Sequence, residues 1–314
     1  MNFINYLTVF AFLFVLQLLY FKIADKFNII DKPNERSSHT KITLRGGGVV
    51  FYFGALLFFL ISGFQYPFFM LGLTLIALVS FADDVRPISS KLRLPMHFAA
   101  MALLFYEWGL FAQPWFFLII ALVLSVGIIN AYNFMDGING ITGAYSITVL
   151  LALLFVNTQQ HVFVDNRLIY IMLLAVMVFN VFNFRKKARC FAGDVGSVTI
   201  AFFIVFLIGK LIIATGNFTY ILFLGVYGVD SVLTIIHRIK LKENIFEAHR
   251  KHAYQLMANE LKIPHLYVSL FYGLLQLVLS IAVVYDYCIA IAFTVLLGIV
   301  YILFKRKYFQ LHKY

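Results

Sequence analysis

The residues able to do chemistry fall into short polar clusters, each at the end of a long apolar run. Asp83 and Asp84 close one run, and Asn130, Asn133, Asp136 and Asn139 close another. Asp194 opens a third, while His249, Arg250 and His252 share a polar loop. Carboxylate and amide oxygens are hard donors suited to a divalent cation, and basic side chains beside them neutralise phosphate oxygens. In a chain that is 62% hydrophobic and 12% charged, this placement predicts a metal-dependent site for phosphate chemistry at the edge of a bilayer.

Each cluster has a chemical and a plain reading. Adjacent carboxylates on a helix point in different directions, so one of Asp83 and Asp84 can touch a metal while the other orients or deprotonates a nucleophile. A solvated helix end before Pro87 is the alternative, but two acids there oppose the helix dipole. In NAYNFMDGINGITG, spacings of three and six place Asn133, Asp136 and Asn139 near one side of a turn or helix. A polar turn would rarely gather three Asn and one Asp between helices this apolar. In GDVGS, Asp194 reads equally as a metal ligand and as an ordinary N-cap, and the same helix start would attract phosphate. His249 and His252 stand three apart as HRKH, not as the HExxH of a zinc peptidase, so anion binding fits better than zinc. An amphipathic surface helix is the alternative there. Gly46, Gly47 and Gly48 open a span where each glycine costs about 1 kcal/mol against alanine, which predicts close backbone approach to a neighbour or ligand. Asp31, Arg36, His39 and Arg45 precede them in a loop that could reach substrate but is otherwise solvated.

The elements carrying these clusters are membrane helices. The chain has 314 residues and a mean hydropathy of +0.91. A span needs roughly 20 apolar residues, and eleven candidate spans stand near 2–21, 46–63, 67–82, 96–111, 115–133, 138–157, 168–184, 196–214, 217–235, 266–285 and 286–304. The runs are continuous rather than alternating, so strands are not expected. The expected fold is an all-α polytopic bundle of 10–11 transmembrane helices forming one unit over 1–314. No basic residue precedes the first run, whereas Lys22 and Lys26 follow it, which places the N-terminus outside and argues against a cleaved signal peptide. Threading eleven spans from there puts 23 of the 25 Lys and Arg residues on the inner side. The net charge of +11 then reads as topology anchors that bind anionic lipids, not as a nucleic-acid surface. It also makes an inner surface that favours a phosphorylated substrate. Cys190 and Cys288 form neither a disulfide framework nor a metal site.

Taken in order, DKPNERSSH with GGG, then DD, NFMDGING, GDVGS and HRKH resemble the polyprenyl-phosphate N-acetylhexosamine-1-phosphate transferases, from about Asp31 to about Tyr254. The resemblance implies that a polyprenyl phosphate, undecaprenyl phosphate in bacteria, attacks the β-phosphate of a UDP-amino sugar and releases UMP. It implies Mg2+, with Mn2+ as the alternative ion, linked to Asn133 and Asp194. It links Asp83 and Asp84 to the lipid phosphate or its deprotonation, makes Asp136 a further active-site acid, and sets Asn139 near the uracil. Lys91 matches a basic residue after the aspartate pair, and His249, Arg250 and His252 match the loop that holds sugar and phosphates. Asn130 and Arg45 complete the expected substrate contacts. HRKH in place of adjacent histidines, and Met96-His97, resemble the subgroup that initiates O-antigen and other surface polysaccharides. The implied place is the cytoplasmic membrane with the site facing the cytoplasm, and a homodimer is compatible. The competing class is a transporter with a polar site at the membrane midplane. A phosphotransferase of the CDP-alcohol type is disfavoured, because MDGING lacks the Ala-Arg and the later Asp pair that class requires.

Overall fold

The computed structural model describes residues 2–31, 42–244 and 249–311, so Arg36 and His39 lie outside the described residues. Every expected span corresponds to a helix. These are α1 (Phe3–Lys26), α2 (Val49–Ile61), α3 (Pro67–Val85), α4 (Ser90–Glu107), α5 (Trp115–Met135) and α6 (Ile141–Gln159). They continue as α7 (Asn166–Asn183), α8 (Gly193–Thr215), α9 (Gly225–Lys240), the short α10 (Ala253–Gln255), α11 (His265–Tyr285) and α12 (Tyr287–Leu311). Among the described residues, nine helical stretches are long and apolar enough to cross a membrane, one of them α9 with the 3-10 turn Phe218–Leu224 before it. Of the expected spans, α2 is shorter, with 13 residues, and α4 carries Lys91, Arg93 and Glu107. The fold is that of an all-α polytopic membrane protein.

Ile30–Asp31 (β1) and Thr43–Leu44 (β2) pair antiparallel, Ile30 with Leu44 and Asp31 with Thr43. The ribbon lies outside the apolar spans, where water can satisfy its open edges.

Helix α8 is the centre of the bundle, with side chains buried from Val195 through Ile208. Lipid removes the hydrophobic drive between helices, so close packing and buried polar bonds hold them. Phe69 of α3 stacks on Phe202 and Phe206 of α8. At the start of α2, a Cβ on Gly48 would collide with the Gly196 backbone, and one on Gly196 with that of Gly48. The Gly47 and Gly48 N–H groups donate to the Phe191 and Ala192 carbonyls at 2.8 and 3.0 Å. The triple glycine therefore serves close approach to a neighbouring segment. On the other flank, Gln276 of α11 accepts from the Tyr145 hydroxyl of α6 at 2.6 Å and from the Val226 N–H of α9 at 3.1 Å. These contacts bring the ends of α3, α5 and α7 and the starts of α2, α6, α8 and α11 to one side of the bundle.

Candidate active site

That side holds a cavity of about 270 Å3 lined by Arg45, Asn133, Asp136, Asn139 and Asp194, together with Asp31, Gln255 and His265. The acidic clusters are assembled around the first turn of α8. Asp84, at the end of α3, accepts the Asp194 N–H on one carboxylate oxygen and the Val195 N–H on the other, both at 2.9 Å. It also lies 2.6 Å from Arg45 Nε. An acid unfavourable at the end of its own helix thereby becomes favourable at the start of another. The expectation that one of the pair is free for a metal or nucleophile does not fit Asp84, whose oxygens serve as the cap of α8. Asp194 correspondingly is not the cap. Its carboxylate meets Arg45 Nη2 at 3.2 Å and faces the cavity. Gly193, at φ 71°, has no room for a side chain beside Asp84 and Gly46, so glycine is required there on two grounds.

Asp83 points to the α3–α4 turn. It accepts the Ile88 N–H at 2.7 Å and pairs with Arg93 at 3.1 Å, and its charge acts on Asp194. The basic partner after the aspartate pair is thus Arg93, and Lys91 is exposed. Two residues turn a helix by about 200°, so a helix that aims Arg93 at Asp83 aims Lys91 away.

Asn133 Oδ1 accepts from Ser197 Oγ at 2.8 Å, which sets it beside the α8 turn that carries Asp194. Asp136 follows the end of α5 and accepts from Thr142 Oγ1 at 2.6 Å. Burial pushes the Asp136 carboxyl up to about 7; the Thr142 hydrogen bond opposes this, and the charges of Asp194 and Asp84 reinforce it. Burial works against the Arg45 charge, but Asp84 and Asp194 outweigh it and raise its pKa above the ordinary value. Asn139 lines the cavity with its amide nitrogen committed to the Arg185 and Lys186 carbonyls, at 2.9 and 3.3 Å. Asn130 lies on the exposed surface, one turn further from the end of α5, and does not reach the cavity.

The HRKH loop lies beside this site. Phe134 has the rings of His249 and His252 each 6.4 Å away, and the Tyr254 hydroxyl donates to the Phe134 carbonyl at 2.8 Å. His252 is buried, with Nδ1 3.1 Å from Asp230 Oδ1. Burial, followed by the neighbours His252, Arg238 and Lys305, pushes His249 down to about 4, so its imidazole is neutral at pH 7. Arg250 is half-buried and engaged with neighbouring residues. Sequence reading missed Arg93, Asp230, Gln255 and His265. Asp230 carried a usable signal, a carboxylate inside an apolar run, whereas Gln255 and His265 carried none.

Among the described residues no three Asp, Glu, His or Cys side chains converge as a ready cage for a metal. The donor set still fits Mg2+, which takes one or two carboxylates and relies on water and substrate phosphates for the rest. Asp194 and Asp83 interact electrostatically, Asn133 stands beside the α8 turn, and the acids in this cluster outnumber Arg45 and Arg93. A cation also explains how carboxylates tolerate such proximity. The cavity sits at helix ends, which does not support the midplane site of a transporter.

Comparison with known proteins agrees with this architecture. Residues 66–212 match the sequence profile described as glycosyl transferase family 4. The undecaprenyl-phosphate alpha-N-acetylglucosaminyl 1-phosphate transferase of Yersinia pestis is 26% identical over 273 residues, covering 79% of this chain and 73% of that protein. The probable undecaprenyl-phosphate N-acetylglucosaminyl 1-phosphate transferase of Bacillus subtilis is 27% identical over 263 residues, 76% of this chain and 72% of its own length. The protein of the same name as the Yersinia one in Escherichia coli K12 is 25% identical over 274 residues, 78% and 74% of the two chains. The profile match encloses the aspartate pair, the NFMDG turn and GDVGS, the segments that converge on the cavity, so it is in this region that the chain is similar to glycosyl transferase family 4.

Proposed function

We propose that this protein transfers an N-acetylamino-sugar 1-phosphate from a UDP-sugar to undecaprenyl phosphate at the cytoplasmic face of the cytoplasmic membrane. The names of its relatives supply the lipid acceptor and the sugar-phosphate chemistry. The observation that carries the reading is the meeting of Arg45, Asn133, Asp136 and Asp194, from four distant segments, in one cavity at the helix ends. A lipid phosphate anchored in the bilayer and a water-soluble nucleotide sugar can both reach such a place.

In the reaction a lipid phosphate oxygen forms a bond to the sugar-bearing β-phosphorus, the bond to the α-phosphate oxygen breaks, and UMP leaves. The nucleophile is already anionic, so positioning and charge neutralisation are the main requirements. Asp194, Asn133 and Asp83 would hold Mg2+, or Mn2+ in its place, which when bound supplies positive charge to the diphosphate. Arg45 stands against Asp194 and can contact a phosphate on the cavity side. Asp136, near neutrality in its pKa, can take the proton that a lipid phosphate monoanion still carries. Asn139 and His265, joined by a hydrogen bond from the Asn139 N–H, also line the cavity and would meet the nucleotide. Initiation of a surface polysaccharide, such as O-antigen, is the pathway this activity would serve.

The test incubates the membrane-embedded protein with undecaprenyl phosphate, Mg2+ or Mn2+, and a panel of UDP-amino sugars. The expected result is UMP release together with a lipid diphosphate sugar, abolished by a chelator. Neither product from any donor, with the protein folded and present, would overturn the proposal.

A further inference from the structure

Asp230 lies in α9, 2% exposed, in a stretch that is otherwise apolar, and the proposed chemistry gives it no task. A carboxylate buried among helices is costly unless its oxygens are filled. They are filled from separate parts of the chain. Oδ1 accepts the Ala253 N–H at 3.1 Å and the Thr234 hydroxyl at 3.2 Å, and stands 3.1 Å from His252 Nδ1. Oδ2 accepts the Tyr272 hydroxyl at 2.6 Å and the Tyr254 N–H at 3.4 Å. One side chain therefore gathers α9, α11 and the start of α10.

The segment it grips touches the cavity on its other side. The Tyr254 hydroxyl bonds the Phe134 carbonyl, and the Tyr254 ring fills the space a Cβ on Gly137 would need. Gln255, the next residue, lines the cavity and closes a capping box with His252. His252 Nε2 is buried and has no hydrogen-bond partner among the described residues. Nδ1 is therefore the ring nitrogen that ties His252 both to Asp230 and to the first turn of α10.

We infer that Asp230 is a positioning residue that clamps His252–Gln255 against Phe134–Gly137, and so holds the rim of the site that receives the nucleotide sugar. The nucleotide part rests on the transferase reading, whereas the clamp does not. Removing the clamp should loosen the rim and weaken the nucleotide sugar selectively, because Gln255 lines the cavity together with Asn139 and His265, the residues proposed to meet the nucleotide.

The test uses full-length protein, with UDP-N-acetylglucosamine and undecaprenyl phosphate as probes and tryptic cleavage after Arg250 and Lys251 as a second readout. In Asp230→Asn the KM for the nucleotide sugar should rise about tenfold while that for the lipid stays within about twofold, and loop cleavage should quicken about tenfold. An asparagine at position 252 can present an amide N–H where Nδ1 stood, so His252→Asn should recover the protection that His252→Ala loses. That pair decides the matter if Asp230→Asn fails to accumulate. Unchanged KM and cleavage would overturn the clamp. So would a lower kcat with both KM values and cleavage unchanged, or equal cleavage in the two His252 variants. If wild-type protein forms no product, the transferase reading fails, and the cleavage rates alone then decide the clamp.

Discussion

The two ends of the bundle both carry polar groups, but they satisfy them in different ways. At the far end, Asp165 takes the Arg167 N–H at 2.8 Å and pairs with its guanidinium at 2.5 Å, two residues away. Asn157 brackets Phe163, Val164 and Asn166, none more than nine residues distant. These side-chain bonds are local and their charges balance; the long-range bonds at this end, from the Asp165 N–H to the Tyr66 hydroxyl and from Gln160 to the Val284 carbonyl, join neutral groups. At the cavity end, Arg45 reaches Asp194 across 149 residues of chain, Asp84 reaches it across 110, and Asn133 reaches Ser197 across 64. There, among the described residues, Asp83, Asp84, Asp136 and Asp194 interact with two arginines, Arg45 and Arg93. Local, balanced polar groups close a turn. Distant, unbalanced ones mark a site, because nothing but a charged ligand repays holding like charges together.

The most severe way to break the contrast is Asp194→Asn. It should lower lipid-linked sugar formation by about a thousandfold or more, measured as UMP release, with normal accumulation of protein. Near-normal turnover would remove the acid cluster from the chemistry. Asp84→Asn is next and different in kind. It weakens the Arg45 pair and the cap of α8 together, so about 3 kcal/mol of stability should go along with activity, read as a lowered melting temperature in detergent. Activity lost at unchanged melting temperature would make Asp84 a chemical group rather than a cap.

Asp136 sharpens the comparison through pH. Its carboxyl is raised to about 7 in the fold from an ordinary 3.8, so the unfolded chain loses that proton first. Stability contributed by the protonated form is complete below about 4 and falls as pH rises toward 7. In chelator, Asp136→Asn should flatten this decline, and an identical decline in the variant would place the effect elsewhere. A smaller effect separates the two basic candidates on α4. Arg93→Ala should cost about tenfold in activity, while Lys91→Ala stays within about twofold. The smallest change is expected at the far end, where Arg167→Ala breaks a half-exposed, local pair and should leave UMP release within about twofold.

Much of the architecture was legible because its cause is local. Continuous apolar runs can only be spans, and basic residues gather beside the ends of those runs that meet at the cavity, so the helix positions and the sharing of one side followed from hydropathy and charge. The motif segments were legible for a related reason: Asn, Asp and Gly are conspicuous between apolar helices. Individual roles were less so. That Asp84 caps α8 while Asp194 faces the cavity depends on which helix end meets which, and no spacing along one helix encodes it. The same holds for Arg93 over Lys91, for exposed Asn130, and for Asp230, whose ligands come from up to 42 residues away. Sequence alone determined which residue types reach the membrane edge, since hydropathy acts on each segment separately. Only the tertiary structure decided which of them touch, because hydrogen bonds and ion pairs reach a few ångströms and depend on how the helices pack.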